Sequence, residues 1–103
     1  MKHNRAKKTD IPPRVKREVW ERDKHCCVLC GSPNAMPNAH FISRAKGGKG
    51  IKENIVTLCS RCHFEYDNSP KRNDIKDILA RYLIYCYGES WSEEDLIYKK
   101  YDY

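Results

Sequence analysis

The clearest apolar rhythm in the chain lies between Lys71 and Tyr87. Ile75, Ile78, Leu79, Tyr82, Leu83 and Cys86 recur there at the spacing of one helix face, and Gly88 follows. Such a pattern predicts an amphipathic helix closed by a glycine. Earlier, Val15 and Val19 lie four apart, with Trp20 beside them, after Ile11-Pro12-Pro13. Proline is tolerated in a first helical turn, so a short helix is predicted over Arg14–Asp23. Trp20 is expected to anchor its core side, with the basic side in water or against phosphate. Asn54-Ile55-Val56-Thr57-Leu58 is β-branched and reads as a strand, with Ala39-His40-Phe41-Ile42 as a short partner. On that partner, His40 and Ile42 face one way and Ala39 and Phe41 the other. The stretch between them, Ser43 to Glu53, has three glycines, four Lys/Arg and no apolar period. It is expected to be an exposed loop, and Ser32–Asn38 a polar, turn-rich one. A helix is expected from the Cys59-x-x-Cys62 turn through about Tyr66. A last short helix should open at Ser92, with Ser92 as its N-cap.

With 103 residues, the chain is about one domain. Residues 1–10 read as a flexible basic arm, 11–70 as the core and 71–103 as a helical extension of the same domain. Only 40% of the residues are hydrophobic, so the apolar core must be thin. Domains of this size often need a metal or disulfides to stay folded, and six cysteines fit that need. No secretory h-region follows the basic start, and no run approaches the ~18 apolar residues of a membrane span. An intracellular chain is therefore expected, with reduced thiols that favour metal over disulfides. The charge changes the picture further. Residues 1–72 carry 16 Lys/Arg against 7 Asp/Glu, a net +9; residues 73–103 carry 4 against 7, a net −3. The basic part coincides with the cysteines and histidines, which suggests a polyanionic partner.

Two C-x-x-C pairs, Cys27/Cys30 and Cys59/Cys62, offer four thiolates, the full complement of a closed structural zinc site. The 28 residues between the pairs hold the strand–loop–strand, so the ion would clamp both ends of a hairpin. Cys26 points away from the first turn, and Cys86 lies on the apolar stripe of its helix. Cys59-x-x-Cys62-His63 also matches a c-type haem attachment pattern. That alternative requires export and leaves Cys27 and Cys30 without a use.

His40, Asn54, His63 and Asp67 remain. His63 and Asp67 are four apart, so imidazole and carboxylate can share one divalent ion and leave positions open for water and phosphate oxygens. The plainer alternative makes His63 a polar neighbour of the zinc and Asp67 a surface carboxylate. The order C-x-x-C, Ala-His, Gly-Gly, Asn, C-x-x-C-His resembles the HNH endonuclease family, over roughly Val19 to Asp67. Glu21-Arg22-Asp23 before the first cysteine pair is also typical of it. The resemblance implies a small α+β, zinc-clamped treble-clef (ββα-metal) domain with an N-terminal helix and a helical C-terminal extension. It implies a metal-dependent endonuclease that hydrolyses DNA, in a bacterial cytoplasm or encoded by a phage. His40 would be the general base, Asn54 would hold the loop that aims it, and His63 would bind the catalytic metal with Asp67. That metal would be Mg²⁺, Mn²⁺, Ni²⁺ or Zn²⁺, beside a structural Zn²⁺ on the four cysteines. Many members carry a metal ligand just before the base, where this chain has Ala39. An alternative assignment makes His40 itself a ligand. Arg44, Lys46, Lys49, Lys52 and Arg61 are candidates for phosphate contacts. The rival reading is a non-catalytic zinc-finger module that binds nucleic acid through its basic face. The stripe of the 71–88 helix either packs on the first helix or pairs two chains as a homodimer.

Overall fold

The computed structural model describes residues 8–99. Residues 1–7 of the expected arm, and the fraying expected beyond Lys100, lie outside them. Over residues 11–99, three helices and one antiparallel strand pair make an α+β domain. Helix α1 spans Pro13–Arg22, strand β1 Ala35–His40 and strand β2 Ile55–Cys59. Helix α2 spans Ser60–Asn68 and helix α3 Arg72–Tyr87. Short 3-10 turns occupy Arg44–Lys46, Lys52–Asn54 and Glu93–Leu96. Ser92 caps the last of these, its hydroxyl accepting from Glu94 N at 3.3 Å.

The hairpin differs from the expected one at β1. That strand begins at Ala35 and ends at His40, so it takes in most of the expected Ser32–Asn38 loop. Ala35 pairs with Cys59 and His40 with Ile55, with a register shift between Met36 and Ala39. Pro37 lies in that shift. Proline lacks the N–H a regular ladder needs, and an irregularity is where a strand tolerates it. The Pro-Asn pair reads as a turn in sequence and is accommodated as a kink in structure.

All five residues of β2 are buried, because the strand is covered on both faces. Ile55 joins Val15 and Val19 of α1 in a small cluster. Val56 and Leu58 join the main core with Phe41, Tyr66, Leu79 and Leu83. On α3, Ile75, Leu79 and Leu83 are buried, while Ile78 of the same stripe is 52% exposed. Trp20 does not anchor the core. It is half-buried and stacks on His25, with ring centroids 5.0 Å apart. Trp91, also half-buried, is the one that packs against the main core, edge-on to Phe41 at 5.4 Å, with its indole N–H donating to Glu53 O at 2.9 Å.

The glycine loop is not open to solvent as expected. Only Arg44–Lys46 are exposed, and Gly47, Gly48 and Gly50 are buried. The segment after the last 3-10 turn runs along the loop. Tyr98 N donates to Gly47 O at 2.7 Å, and Lys49 N to Leu96 O at 2.7 Å. A Cβ on Gly48 would meet Ile42 O at 1.7 Å, so the loop folds back on its own strand in a way only glycine permits.

A buried polar network joins α1, β2 and α3. Arg22 donates to Asp23 from Nε at 2.7 Å and Nη2 at 3.0 Å, to Tyr87 Oη at 2.9 Å and to Ile55 O at 2.7 Å. Asp23 also accepts from Thr57 N at 2.8 Å and from the Tyr82 hydroxyl. Its side chain is fully buried. Removing one partner of such a pair leaves an uncompensated buried charge, a cost of about 3–5 kcal/mol. Asp23→Ala should therefore lower the denaturant midpoint steeply, and a midpoint close to wild type would dissolve this account of how α3 is attached.

Candidate functional site

Two sites draw residues from α2 or its cap. The first is made by the cysteines. Gly31 N donates to Cys27 O at 2.8 Å, which closes the first turn, and Gly31 takes a left-handed φ of 80°. At the second turn Cys59 is the N-cap of α2, and its Sγ accepts from Cys62 N at 3.5 Å. The four Sγ atoms lie within 4.8 Å of one another, with Cys30 and Cys59 at 3.6 Å. Tetrahedral zinc with Zn–S bonds of about 2.3 Å places its sulfurs about 3.8 Å apart, so the donor set fits the ion. Burial opposes ionisation of the Cys27 thiol, but backbone N–H groups of Cys59, Cys30 and Leu29 outweigh it and bring the thiol down to about 7. Cys62 is pushed the other way by burial and by its thiol neighbours. Four thiols this close ionise together only with a cation between them.

The second site is a cavity of about 620 Å³ lined by His40, His63 and Asp67 together with Asp10, Lys16 and Arg44. His40 is the last residue of β1. The residue after it is pinned twice: Phe41 N donates to Asn54 O at 2.7 Å, and the Tyr66 hydroxyl donates to Phe41 O at 2.7 Å. Asn54 is fully buried, as a brace across the loop should be. Its Nδ2 donates to Ile42 O at 3.1 Å and Lys49 O at 2.9 Å, and its Oδ1 accepts from Ile42 N at 2.8 Å. It thus ties one end of the loop to the other.

His40 Nε2 lies 2.8 Å from Thr9 O. A carbonyl can only accept, so Nε2 carries the proton and Nδ1 keeps the lone pair. Burial pushes the His40 pKa below its ordinary value, and the nearby Arg44 and His63 push the same way against the Thr9 carbonyl and Asp10. At neutral pH the ring is therefore an uncharged base.

His63 and Asp67 face each other along α2, with Nε2 and Oδ2 3.3 Å apart. Both are partly exposed. Two donors bonded to one ion at about 2.1 Å, near right angles to each other, sit about 3.0 Å apart, so the pair fits a shared divalent cation. Ala39 is fully buried in the core. It offers nothing to such an ion.

Among the sequence candidates for phosphate contact, Arg44 lines the cavity. Lys46 is exposed on the neighbouring turn. Lys49 Nζ donates to Asp95 O at 3.0 Å, and Lys52 lies over the Tyr87 ring at 5.8 Å, so both are engaged with the C-terminal part. Arg61 is fully exposed beside the cysteine cluster, and the Cys62, Cys30 and Cys59 sulfurs raise its pKa. Lys16 and Asp10 line the cavity and were not singled out from sequence. Lys16 carried a weak signal, as part of the basic side of α1; Asp10 carried none.

Two strands, the helix that follows them and four converging thiols define a metal-clamped ββα domain. Residues 27–69 match the family model described as HNH endonuclease. That segment, less than half of the chain, is similar to the HNH endonuclease family. The chain is similar to Anaredoxin of Nostoc sp., 29% identical over 63 residues that cover 60% of this chain and 83% of that protein. It is also similar to the CRISPR-associated endonuclease Cas9 of Corynebacterium diphtheriae, 35% identical over 54 residues that cover 48% of this chain and 5% of Cas9. Among the described residues, no helix is long and apolar enough to cross a membrane.

Proposed function

We propose that the protein is a metal-dependent endonuclease that hydrolyses DNA phosphodiester bonds at the His40 cavity. The observation that carries this reading is the meeting of a neutral imidazole with a His–Asp pair in one cavity that Lys16 and Arg44 also line. His40 Nδ1 takes a proton from water as the water oxygen bonds to phosphorus. The P–O3′ bond breaks with its electron pair on O3′, which takes up a proton from solvent water, leaving 5′-phosphate and 3′-hydroxyl ends. Asn54 acts through the loop, keeping Phe41 and Ile42, and so His40, in place. His63 and Asp67 would hold a divalent ion, which supplies charge stabilisation at the phosphate and the leaving oxygen. Lys16 and Arg44 are the phosphate contacts that the cavity favours. The four cysteines hold structural zinc, residues 11–70 form the nuclease core and 71–103 its helical extension. An intracellular setting, bacterial or phage, would keep the thiols reduced.

Plasmid nicking assayed with Mg²⁺, Mn²⁺ and Ni²⁺ tests the reading. A wild-type protein that binds DNA yet never nicks it with any of these ions would establish the rival, a non-catalytic zinc module. The pH dependence is a second test. A His pKa depressed in the folded chain keeps the base free down to below 6.5, so cleavage should lose activity in acid with an apparent pKa under 6.5. The sign for stability is the same. In that window the unfolded chain binds the proton first, so acidification favours unfolding. An acidic limb centred well above 6.5 would remove His40 from the base role. Pairing of two chains through the 71–88 helix has its own candidates in the exposed Ile78 and Tyr85, seven apart on one face. Sedimentation at high concentration decides it, and a strict monomer removes it.

A further inference from the structure

We propose that Lys8–Asp10 is a strap that sets the tautomer and the aim of the His40 ring, with Gly50 as the clamp that seats it. The proposal rests on the reading of His40 as the base, and the strap residues themselves precede α1 and lie outside the family match at 27–69. Each strap residue has its own anchor. Lys8 O accepts from Gly50 N at 2.9 Å. Thr9 O accepts from His40 Nε2 at 2.8 Å, across 31 residues of chain. The Asp10 carboxylate accepts from Arg44, on the far side of the glycine loop.

The seat is tight. Thr9 is 2% exposed, so water does not compete for the carbonyl that holds the imidazole. A Cβ on Gly50 would meet Asp10 O at 1.8 Å and Asp10 C at 2.5 Å. Those atoms are backbone, so no rotamer change relieves the overlap, and the strap must lift. Asn54 and Tyr66 fix the backbone that carries His40, but a fixed backbone leaves the ring free to turn about its own side-chain bonds. The hydrogen bond to Thr9 O is what selects Nε2–H and turns Nδ1 into the base. Thr9 is in this sense a positioning residue: it acts through the ring, and it does so with its backbone.

The tautomer can be read without cleavage. Long-range ¹H–¹⁵N spectra of the zinc-loaded full chain at neutral pH should show His40 protonated on Nε2 and bare on Nδ1, with the resonance assigned by its loss in His40→Ala. In Gly50→Ala the two tautomers should mix. The kcat for plasmid nicking should fall about ten- to hundredfold, with KM near wild type, as expected of a misaimed base. A wild-type ring protonated on Nδ1 overturns the proposal, and so does a Gly50→Ala chain that keeps both the Nε2–H form and the wild-type kcat. Should Gly50→Ala not fold, the wild-type spectrum decides alone. A chain that shows the expected tautomer but nicks nothing sinks the nuclease reading and leaves the strap standing.

Discussion

His40→Ala is expected to abolish plasmid nicking while leaving the fold and the zinc in place. Loss of a positioned general base costs about 10²–10⁴-fold in rate. The ring is half-buried at a cavity wall, outside the main apolar cluster. Its removal therefore opens space at the cavity without stripping the core. Circular dichroism and zinc content should match wild type, and the nicking rate should sit near the background of the metal alone. The comparison separates two assignments of the same residue. As a metal ligand, His40 would show a weakened metal dependence in the variant that excess Mn²⁺ restores. As the base, its loss is not repaired by any metal concentration. Nicking by His40→Ala at the wild-type rate would remove the residue from the chemistry altogether.

Cys59→Ser should unfold the domain. Cys59 is the N-cap of α2 and the end of β2, and its sulfur lies 3.6 Å from that of Cys30. One substitution thus removes a metal ligand where strand, helix and first cysteine turn meet. Structural zinc contributes about 10–16 kcal/mol in small zinc-dependent peptides, more than the net stability of most domains. The main core of this one is thin and gathers around the hairpin and α2. Zinc measured per chain should fall well below wild type, and the thermal transition should broaden or vanish. Equal zinc content in Cys59→Ser and wild type would refute the structural assignment. The two variants together form a crossed test: one should lose activity and keep zinc, the other should lose both.

Much of the site was legible in sequence because its parts are close along the chain. The two C-x-x-C turns hold their thiols by local geometry, and His63 and Asp67 share a helix face by spacing alone. Asn54 was legible through the order of residues, and the structure puts its amide across both ends of the loop. The misreadings have a common cause. The glycine loop looked exposed because it is polar and aperiodic, but the residues around Leu96–Tyr98 cover it with backbone hydrogen bonds that composition does not reveal. Pro37 and Asn38 looked like a turn because the register shift that admits them depends on the partner strand. Trp20 looked like a core anchor because it sits beside Val19, but its ring stacks on His25 outside the apolar clusters, as elements far away in the chain decide what covers it.

By itself, the sequence determined the four cysteines that converge, the shared helix face of His63 and Asp67 and the order of elements. These follow from spacings of three or four residues, which backbone geometry converts directly into shared faces and converging side chains. Only the tertiary structure decided which nitrogen of His40 is free, because the carbonyl that holds the other comes from Thr9, 31 residues away. It also decided that Lys16 and Asp10 share the cavity with His40, and that Lys49 and Lys52 are engaged elsewhere. Contacts of that kind carry no local signature. They arise where residues 8–10 and 96–98 close over a hairpin whose glycines let the backbone come near.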